Sequence, residues 1–245
     1  MDWGVELMAR KAKVALVYRF VGFFVSTAGI LLHFMADNVV ETGFMVRHKL
    51  AYFTIQTNIL AALLFAVLLL QAIQQHRKDG VWRVGTVPPG VHGALTFYIT
   101  MTMLGFWGIL APTTGLPSNN FLLMNTLILH LMSPLLTMVD FMLFCPHGHL
   151  RKRHAALWLC YPVVYVFFVV GYSKCIQEPY YSFQMGNRTI DLMYPYPFLD
   201  ANVMSGWGVV GAVLLIAAVF YTVARLLVFA DRRLEKSRKL LLKNA

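Results

Sequence analysis

The chain has 245 residues, of which 58% are hydrophobic and 13% are charged, and its mean hydropathy is +0.62. Soluble domains are usually about 45–50% apolar and about 25% charged, so this composition argues against a soluble globular protein. The net charge of +10 would favour a nucleic-acid partner in a soluble protein. Here a membrane surface accounts for the charge, and no nucleic-acid partner is predicted.

Six apolar runs are long enough to cross a bilayer, which needs about 20 residues of helix. Because backbone groups in lipid must be satisfied within one segment, each run is predicted to be a helix. The runs cover residues 14–35, 50–71, 90–111, 120–143, 154–173 and 203–229. The predicted fold class is therefore all-α, a polytopic membrane protein with residues 1–245 as a single six-helix transmembrane domain.

The basic residues predict how these helices are oriented. Seventeen of the 21 Lys and Arg residues lie in or next to the loops and ends that would share one membrane face. The positive-inside rule places that face, with both termini, in the cytoplasm. Residues 174–202 then form a loop on the outside, and residues 230–245 form a basic cytoplasmic tail that meets anionic lipid headgroups.

The outside loop is rich in Tyr, Phe and Pro. Aromatic side chains favour the membrane interface, so the loop is predicted to fold back over the outer ends of the helices. The loop also contains Asn187-Arg188-Thr189, which fits a glycosylation acceptor.

Polar side chains inside the predicted helices recur at helical spacing. Ionisable groups are costly in a bilayer and by default face the interior of the bundle. The fourth run carries a stripe of Thr126, His130, Ser133, Thr137 and Asp140, and the first run carries Arg19, Ser26 and His33. Both stripes rise about 21 Å from end to end, so they match in height if the two helices are neighbours.

Matching heights predict a structural ion pair between Arg19 and Asp140 near the cytoplasmic face. The alternative is that each side chain reaches water separately along its own apolar stem. The two interpretations differ in whether the first and fourth helices pack against each other at this level.

Two residues in these helices suit nucleophilic catalysis. The hydroxyl of Thr54 is a poor nucleophile until a base takes its proton, and a neutral imidazole such as that of His130 is the usual base near pH 7. An apolar cleft around the pair would suit an acyl-chain substrate. The alternative that the residues leave open is structural: Thr commonly bonds back to its own helix, and polar groups often join membrane helices.

Three motifs give the sequence a family resemblance: AYFTIQTNIL at 51–60, LILHLMSPLLTMVD at 127–140 and YPYPFLD at 194–200. Through them the chain resembles, over most of its length, the androgen-induced-gene family of multipass membrane threonine hydrolases. This family includes the androgen-dependent regulator of tissue factor pathway inhibitor, and the chain is most similar to its bacterial branch. The animal members cleave fatty acid esters of hydroxy fatty acids with one Thr and one His.

The resemblance implies that Thr54 is the nucleophile and His130 the base of a lipid ester hydrolase that needs no cofactor and no metal. Thr54 follows the aromatic pair Tyr52-Phe53, and Asp140 stands ten positions after His130, as in the family pattern. The implied partners are membrane lipids and a lipid ester substrate. The implied location is an integral membrane one, the inner membrane in a bacterium.

Further side chains are expected to hold the substrate or the base. Asn58, one turn below Thr54, would donate to the oxyanion or orient the ester. Asn125 and Ser133 flank His130 and would orient its ring, and the YPYPFLD loop would close the outer mouth. The residues expected to bind substrate are Gln56, Asn58, His33, Asn125, Ser133, Tyr194, Tyr196 and Asp200.

The predicted depths of the two catalytic candidates differ. Thr54 is about four residues, and His130 about ten residues, below the outer ends of their helices, a difference of roughly 9 Å. Helix tilt can absorb much of this difference. Without such tilt, His33 near the outer end of the first helix would be the better partner for Thr54.

Other functions fit parts of the same pattern. An acyltransferase would share the acyl-enzyme, and a lipid or small-solute binding or transport protein would use Arg19, Asp140 and His130 to relay charge. A haem or metal site would need His33, His92 and His130, but these lie at three different depths. A retinal protein would need a Lys in the middle of a span, and the sequence has none there.

Overall fold

The apolar runs of the sequence become long helices. A computed structural model describes residues 3–39, 46–176, 179–185 and 188–243. Among these residues, six helices are long and apolar enough to cross a membrane: Glu6–Ala36, Phe53–Asp79, Pro89–Thr113, Asn120–Phe144, Lys152–Ile176 and Gly206–Ser237. This confirms the predicted all-α, multipass fold class. The predicted spans lie within these helices, except that residues 50–52 and 203–205 precede them.

Several of the long helices are interrupted by short turns of other types. The α-helices are α1 (Trp3–Val39), α2 (Phe53–Asp79), α3 (Pro89–Gly105), α4 (Ala111–Thr114), α5 (Asn120–Leu127), α6 (Ser133–Phe144), α7 (Lys152–Leu157), α8 (Cys160–Ile176) and α9 (Gly206–Lys243). Two π-helical turns, Phe106–Leu110 and Ile128–Met132, join α3 to α4 and α5 to α6. In the described part of the chain, 3-10 turns occupy Val46–Ala51 and Pro197–Leu199, and the strands are β1 (Tyr181–Met185) and β2 (Arg188–Leu192).

Local signals set the ends of these helices. The Asn119 side chain accepts hydrogen bonds from the N–H groups of Phe121 and Leu122 and so caps the start of α5. Gly80 ends α2 in the left-handed conformation, with a φ of 73° that glycine adopts without steric cost. The first residue of α3 is Pro89, whose missing N–H would have no partner within the helix at that position.

Two glycines let α1 pack closely against its neighbours, which include α2, α5, α6 and the π-helical turn between the last two. A Cβ atom on Gly22 would lie 2.6 Å from the ring of Phe65 in α2. A Cβ atom on Gly29 would lie 2.6 Å from Cγ2 of Ile128 in the π-helical turn. The glycines are about two turns apart and therefore lie on one face of α1, where small residues allow membrane helices to approach.

A buried ion pair joins α1 to α6. Arg19 Nε lies 2.8 Å from Asp140 Oδ1, and Arg19 Nη2 lies 3.3 Å from Oδ2. Arg19 Nη1 also donates to the carbonyl of Gly85 at 2.8 Å. His92 of α3 adds a third group, with Nε2 3.2 Å from Asp140 Oδ2. The side chains of Arg19 and Asp140 are almost completely buried, so neither reaches water separately.

The register between α1 and α6 follows the predicted stripes for two further turns. Ser26 Oγ lies 2.8 Å from Ser133 Oγ, seven residues along each antiparallel helix from the ion pair. Beyond Ser133 the π-helical turn adds a residue, and Asn125, which lies outside the predicted stripe, contacts α1 by donating to the Gly29 carbonyl at 2.8 Å. The prediction of one uninterrupted α-helical stripe starting at Thr126 is therefore wrong at this turn.

The long loop between α8 and α9 forms a β-hairpin followed by a 3-10 turn. β1 and β2 pair antiparallel, with Tyr181 opposite Leu192. The 3-10 turn packs against α9, and Leu192 and Leu199 are buried. This loop therefore packs onto the helices. Asn187 of the possible glycosylation site lies outside the described residues.

The basic C-terminal segment continues α9 through Lys243 as a helix. Asp231, which is fully buried, ties α9 to the loop before α7. Its Oδ2 accepts hydrogen bonds from the N–H groups of Gly148 and Leu150, both at 3.0 Å. Its Oδ1 lies 3.1 Å from His147 Nδ1. Six crossings would put both chain ends at one membrane face, and the loop charges predict that this face is cytoplasmic.

We expect Asp140→Ala to lower the free energy of unfolding by about 3–5 kcal/mol, because the buried Arg19 guanidinium loses its counter-charge. Thermal unfolding in detergent, followed by circular dichroism, measures the change. Asp79→Ala removes an exposed ion pair with Arg83 and is the matched control, for which little change in Tm is expected. Equal shifts for the two variants would contradict a structural role for the buried pair.

Candidate active site

The structure brings Thr54 and His130 into direct contact. Thr54 lies in the first turn of α2, and His130 lies in the π-helical turn between α5 and α6. Thr54 Oγ1 is 3.2 Å from His130 Nε2, which is hydrogen-bonding reach for a nucleophile and its base. Both side chains are only partly buried, so the pair is not sealed within the bundle.

The expected difference in depth is removed because α2 begins well inside the protein. α2 starts at Phe53, and His130 lies ten residues after the first residue of α5. In neighbouring helices that run the same way, contact between Thr54 and His130 places the start of α2 about 13 Å below the start of α5. The 3-10 turn Val46–Ala51 and the loop after α8 cover this recessed end. Thr54 therefore does not need His33 as its partner.

His130 lies in a π-helical turn that rotates its side chain away from α1. The N–H of Ser133 bonds to the carbonyl of Ile128, five residues back, where an α-helix would use the fourth. The extra residue turns His130 towards Thr54 on α2, while Ser133 still faces Ser26 on α1. Such turns are rare and frequently occur at functional sites.

Two aromatic residues of the other π-helical turn hold His130 in place. The Phe106 ring stacks on the imidazole, with centroids 4.0 Å apart and planes 26° from parallel. Trp107 Nε1 donates to the backbone carbonyl of His130 at 3.0 Å. The polar pattern of the sequence does not single out these residues. The sequence feature that could indicate Phe106 and Trp107 is that they form a bulky aromatic pair between Gly105 and Gly108 in the middle of a span.

A backbone contact decides which ring nitrogen of His130 carries the proton. Nδ1 lies 3.1 Å from the carbonyl oxygen of Thr126. A carbonyl only accepts, so Nδ1 carries the hydrogen and donates it. Nε2 of the neutral ring then presents its lone pair to Thr54 Oγ1. The Thr54 hydroxyl is therefore the donor to Nε2, which is the arrangement that general-base activation needs.

Asn58 lies beside the pair, but its amide hydrogens are already used. The side chain is fully buried. Nδ2 donates to the carbonyl of Thr54 at 2.8 Å and to the carbonyl of Leu129 at 3.1 Å. These bonds tie the first turn of α2 to the π-helical turn. Donation to an oxyanion would require Asn58 to give up one of them, and its contact with a substrate stays a prediction.

The other amide and hydroxyl residues expected at the site make contacts within the protein. Gln56 Nε2 donates to a backbone carbonyl of the preceding 3-10 turn at 3.0 Å, and its Oε1 accepts from the Tyr161 hydroxyl at 2.8 Å. Asn125 and Ser133 bond to α1. These residues position the helices around the site, and their contact with a substrate stays a prediction.

Three further expected residues lie around the outer end of the bundle. The carbonyl of His33 accepts a hydrogen bond from Lys49 Nζ at 2.6 Å. Tyr194 lines an open cavity of about 470 Å³ on the loop after α8. Asp200 is fully buried in that loop. Their roles in substrate binding stay predictions.

The loop after α8 places Tyr196 beside the start of α2. The Tyr196 ring meets the edge of the ring of Tyr52, the residue before α2, with centroids 6.1 Å apart. Tyr165 completes the cover over the start of α2 by donating to the Ala51 carbonyl at 2.9 Å and packing against the Phe53 ring at 5.1 Å. The polar stripes do not include Tyr165, and its signal is a tyrosine within an apolar span.

The histidines do not form a common ligand set. Among the described residues, no group of three or more His, Cys, Asp or Glu side chains is placed to hold a metal ion. His92 lies against Asp140 and His130 lies against Thr54, so the two rings belong to separate clusters.

Comparison of the chain with protein-family models, with curated proteins and with solved structures found no match. The family resemblance of the three motifs therefore stays a prediction. The chemistry of the site is argued from its geometry.

We expect nitrogen-15 NMR of the histidine-labelled protein in detergent to show neutral His130 with a protonated Nδ1 and an unprotonated Nε2, because the Thr126 carbonyl accepts from Nδ1. The spectrum of His130→Gln assigns the signals by difference. A protonated Nε2 in the neutral ring would contradict the assignment of Thr54 as the donor in its bond with His130.

Proposed function

We propose that this protein is a membrane hydrolase of lipid esters, with Thr54 as the nucleophile and His130 as its base. The observation that supports this most is the bond from the Thr54 hydroxyl to the Nε2 lone pair. A threonine that merely bonds back to its own helix would not face a basic nitrogen on another helix. The motif resemblance favours the same residues, with fatty acid esters of hydroxy fatty acids or related acyl esters as substrates.

The reaction has two half-reactions that share the same base. In the first, Thr54 Oγ bonds to the ester carbonyl carbon while its proton passes to His130 Nε2. The carbon–oxygen bond to the leaving alcohol then breaks, and the alcohol oxygen takes the proton from Nε2. The fatty acyl group is now an ester of Thr54. In the second, water attacks this ester, Nε2 takes the water proton and returns it to Thr54 Oγ, and the fatty acid leaves.

The surroundings of the pair suit an acyl chain. Leu104, Ile109 and Met132 expose apolar side chains beside the two π-helical turns. Phe106 covers one face of the imidazole. An ester drawn from the bilayer would therefore keep its chains along apolar surface while its carbonyl lies at Thr54. An acyltransferase would use the same first half-reaction with an alcohol in place of water.

We expect a long-chain fluorophosphonate to modify the wild-type protein once, at Thr54, and to leave Thr54→Ala unmodified. His130→Ala should react about 10²–10⁴-fold more slowly, because the hydroxyl loses its general base. Intact mass and peptide mapping of detergent-purified protein measure the adduct, and circular dichroism checks that each variant is folded.

Thr222→Ala is the matched control for this labelling, since it removes a hydroxyl that bonds back to the Ala218 carbonyl within α9. It should react like the wild type. Equal labelling of all four proteins, or no labelling of folded wild type, would contradict the assignment. Turnover of an ester only when an acceptor alcohol is present would identify an acyltransferase instead.

A further inference from the structure

The π-helical turn that carries His130 changes the hydrogen bonding of its own backbone. In an α-helix the Leu129 carbonyl would accept from the N–H of Ser133, but that N–H bonds to the carbonyl of Ile128. The next residue is Pro134, which has no N–H to offer in its place. The His130 carbonyl loses its α-helical partner too, because Pro134 stands four residues after it.

Side chains from two other helical segments donate to these two carbonyls. Asn58 Nδ2 of α2 donates to the Leu129 carbonyl at 3.1 Å. Trp107 Nε1 of the other π-helical turn donates to the His130 carbonyl at 3.0 Å. In a membrane the backbone groups freed by an irregular turn need such partners, and neighbouring helices can provide them. The conformation around His130 therefore depends on donors outside its own helix.

Asn58 also connects this turn to the nucleophile. Nδ2 donates its second hydrogen to the Thr54 carbonyl at 2.8 Å. One amide thus links the backbone of Thr54 to that of Leu129, the residue before His130. The Asn58 side chain is fully buried, so bulk water does not compete for these bonds. The amide therefore fixes how closely the two backbones approach, and with them Thr54 Oγ1 and His130 Nε2, which lie 3.2 Å apart.

Trp107 acts on His130 from the other π-helical turn. Its indole bonds to the backbone of His130, while the neighbouring Phe106 ring stacks on the imidazole with centroids 4.0 Å apart. The Thr126 carbonyl lies 3.1 Å from Nδ1 and limits rotation of the ring. With the backbone and the ring both held, Nε2 keeps one direction, which is towards Thr54.

We propose that Asn58 and Trp107 are positioning residues, which hold the π-helical turn in the conformation that directs His130 Nε2 at Thr54. This role rests on the proposed hydrolase function. The donated hydrogens of both side chains stay on backbone carbonyls throughout the reaction, and neither side chain touches the ester. When one of these bonds is lost, the carbonyl seeks another partner and the turn shifts. General-base catalysis needs Nε2 within hydrogen-bonding reach of the hydroxyl, and a misplacement of about 1 Å can cost about 10²-fold in rate.

Trp107→Phe removes the indole N–H and keeps an aromatic ring, and Asn58→Leu removes both amide hydrogens and keeps a side chain of similar size. With a long-chain fatty acyl ester as substrate, we expect kcat to fall about 10–100-fold in each variant while KM stays within about threefold of wild type. Trp158→Phe is the matched control, since its indole donates to the Gly90 carbonyl in the first turn of α3 at 3.1 Å, and it should keep kcat.

Nitrogen-15 NMR of the histidine-labelled protein gives a readout that does not depend on turnover. The Nε2 signal of neutral His130 reports the hydrogen bond from Thr54, and Thr54→Ala shows the signal without that bond. We expect Trp107→Phe and Asn58→Leu, each shown to be folded by circular dichroism, to move the Nε2 signal towards its position in Thr54→Ala. Trp158→Phe should leave the signal unchanged.

The outcomes separate this role from oxyanion donation and from the hydrolase function. An unchanged Nε2 signal in either folded variant overturns the positioning role of that residue. If kcat also falls in that case for Asn58→Leu, Asn58 donates to the oxyanion instead and the hydrolase assignment stands. A shifted signal, in a protein without hydrolysis that depends on Thr54, keeps the role in orienting His130 and overturns the hydrolase function. Trp107→Phe changes a partly buried side chain and carries the test if Asn58→Leu does not fold.

Discussion

The buried ion pair between Arg19 and Asp140 is the contact on which the arrangement of this bundle depends. An unpaired charge among apolar helices costs several kcal/mol, so the two side chains must meet at one height. The Gly85 carbonyl and His92 complete the surroundings of the pair. This meeting sets the register of α1 against α6, and the bond between Ser26 and Ser133 repeats it two turns further on. This register ends at the π-helical turn Ile128–Met132, which carries His130 of the candidate active site.

Two departures from regular helix geometry converge at the site. The π-helical turn directs His130 to α2 after α6 has packed against α1, and the recessed start of α2 brings Thr54 to the same depth. Because Thr54 lies in the first helical turn, its neighbours include N–H groups that have no partner within α2. Irregular backbone is concentrated where chemistry is proposed, as expected when a functional site overrides local preference.

The base at this site is oriented by a backbone carbonyl rather than by a carboxylate. In serine hydrolase triads an acidic side chain holds the tautomer of the histidine and also stabilises the imidazolium. The Thr126 carbonyl holds the tautomer of His130 but brings no negative charge. Stabilisation of the reacting state must then come mainly from groups around the ester oxygen. This makes the first N–H groups of α2, which lie beside Thr54, important to the proposed chemistry.

The six helices and the height at which Arg19 meets Asp140 could be predicted from the sequence, because apolar length and helical spacing are local properties of a chain. The sequence also indicated Thr54 and His130 as catalytic candidates, although the predicted depths of these two residues in the membrane differed. The contact between Thr54 and His130 follows from tertiary packing. The π-helical turn, the recessed start of α2 and the packing of the loop after α8 each depend on contacts between segments distant in the chain, which no local pattern encodes.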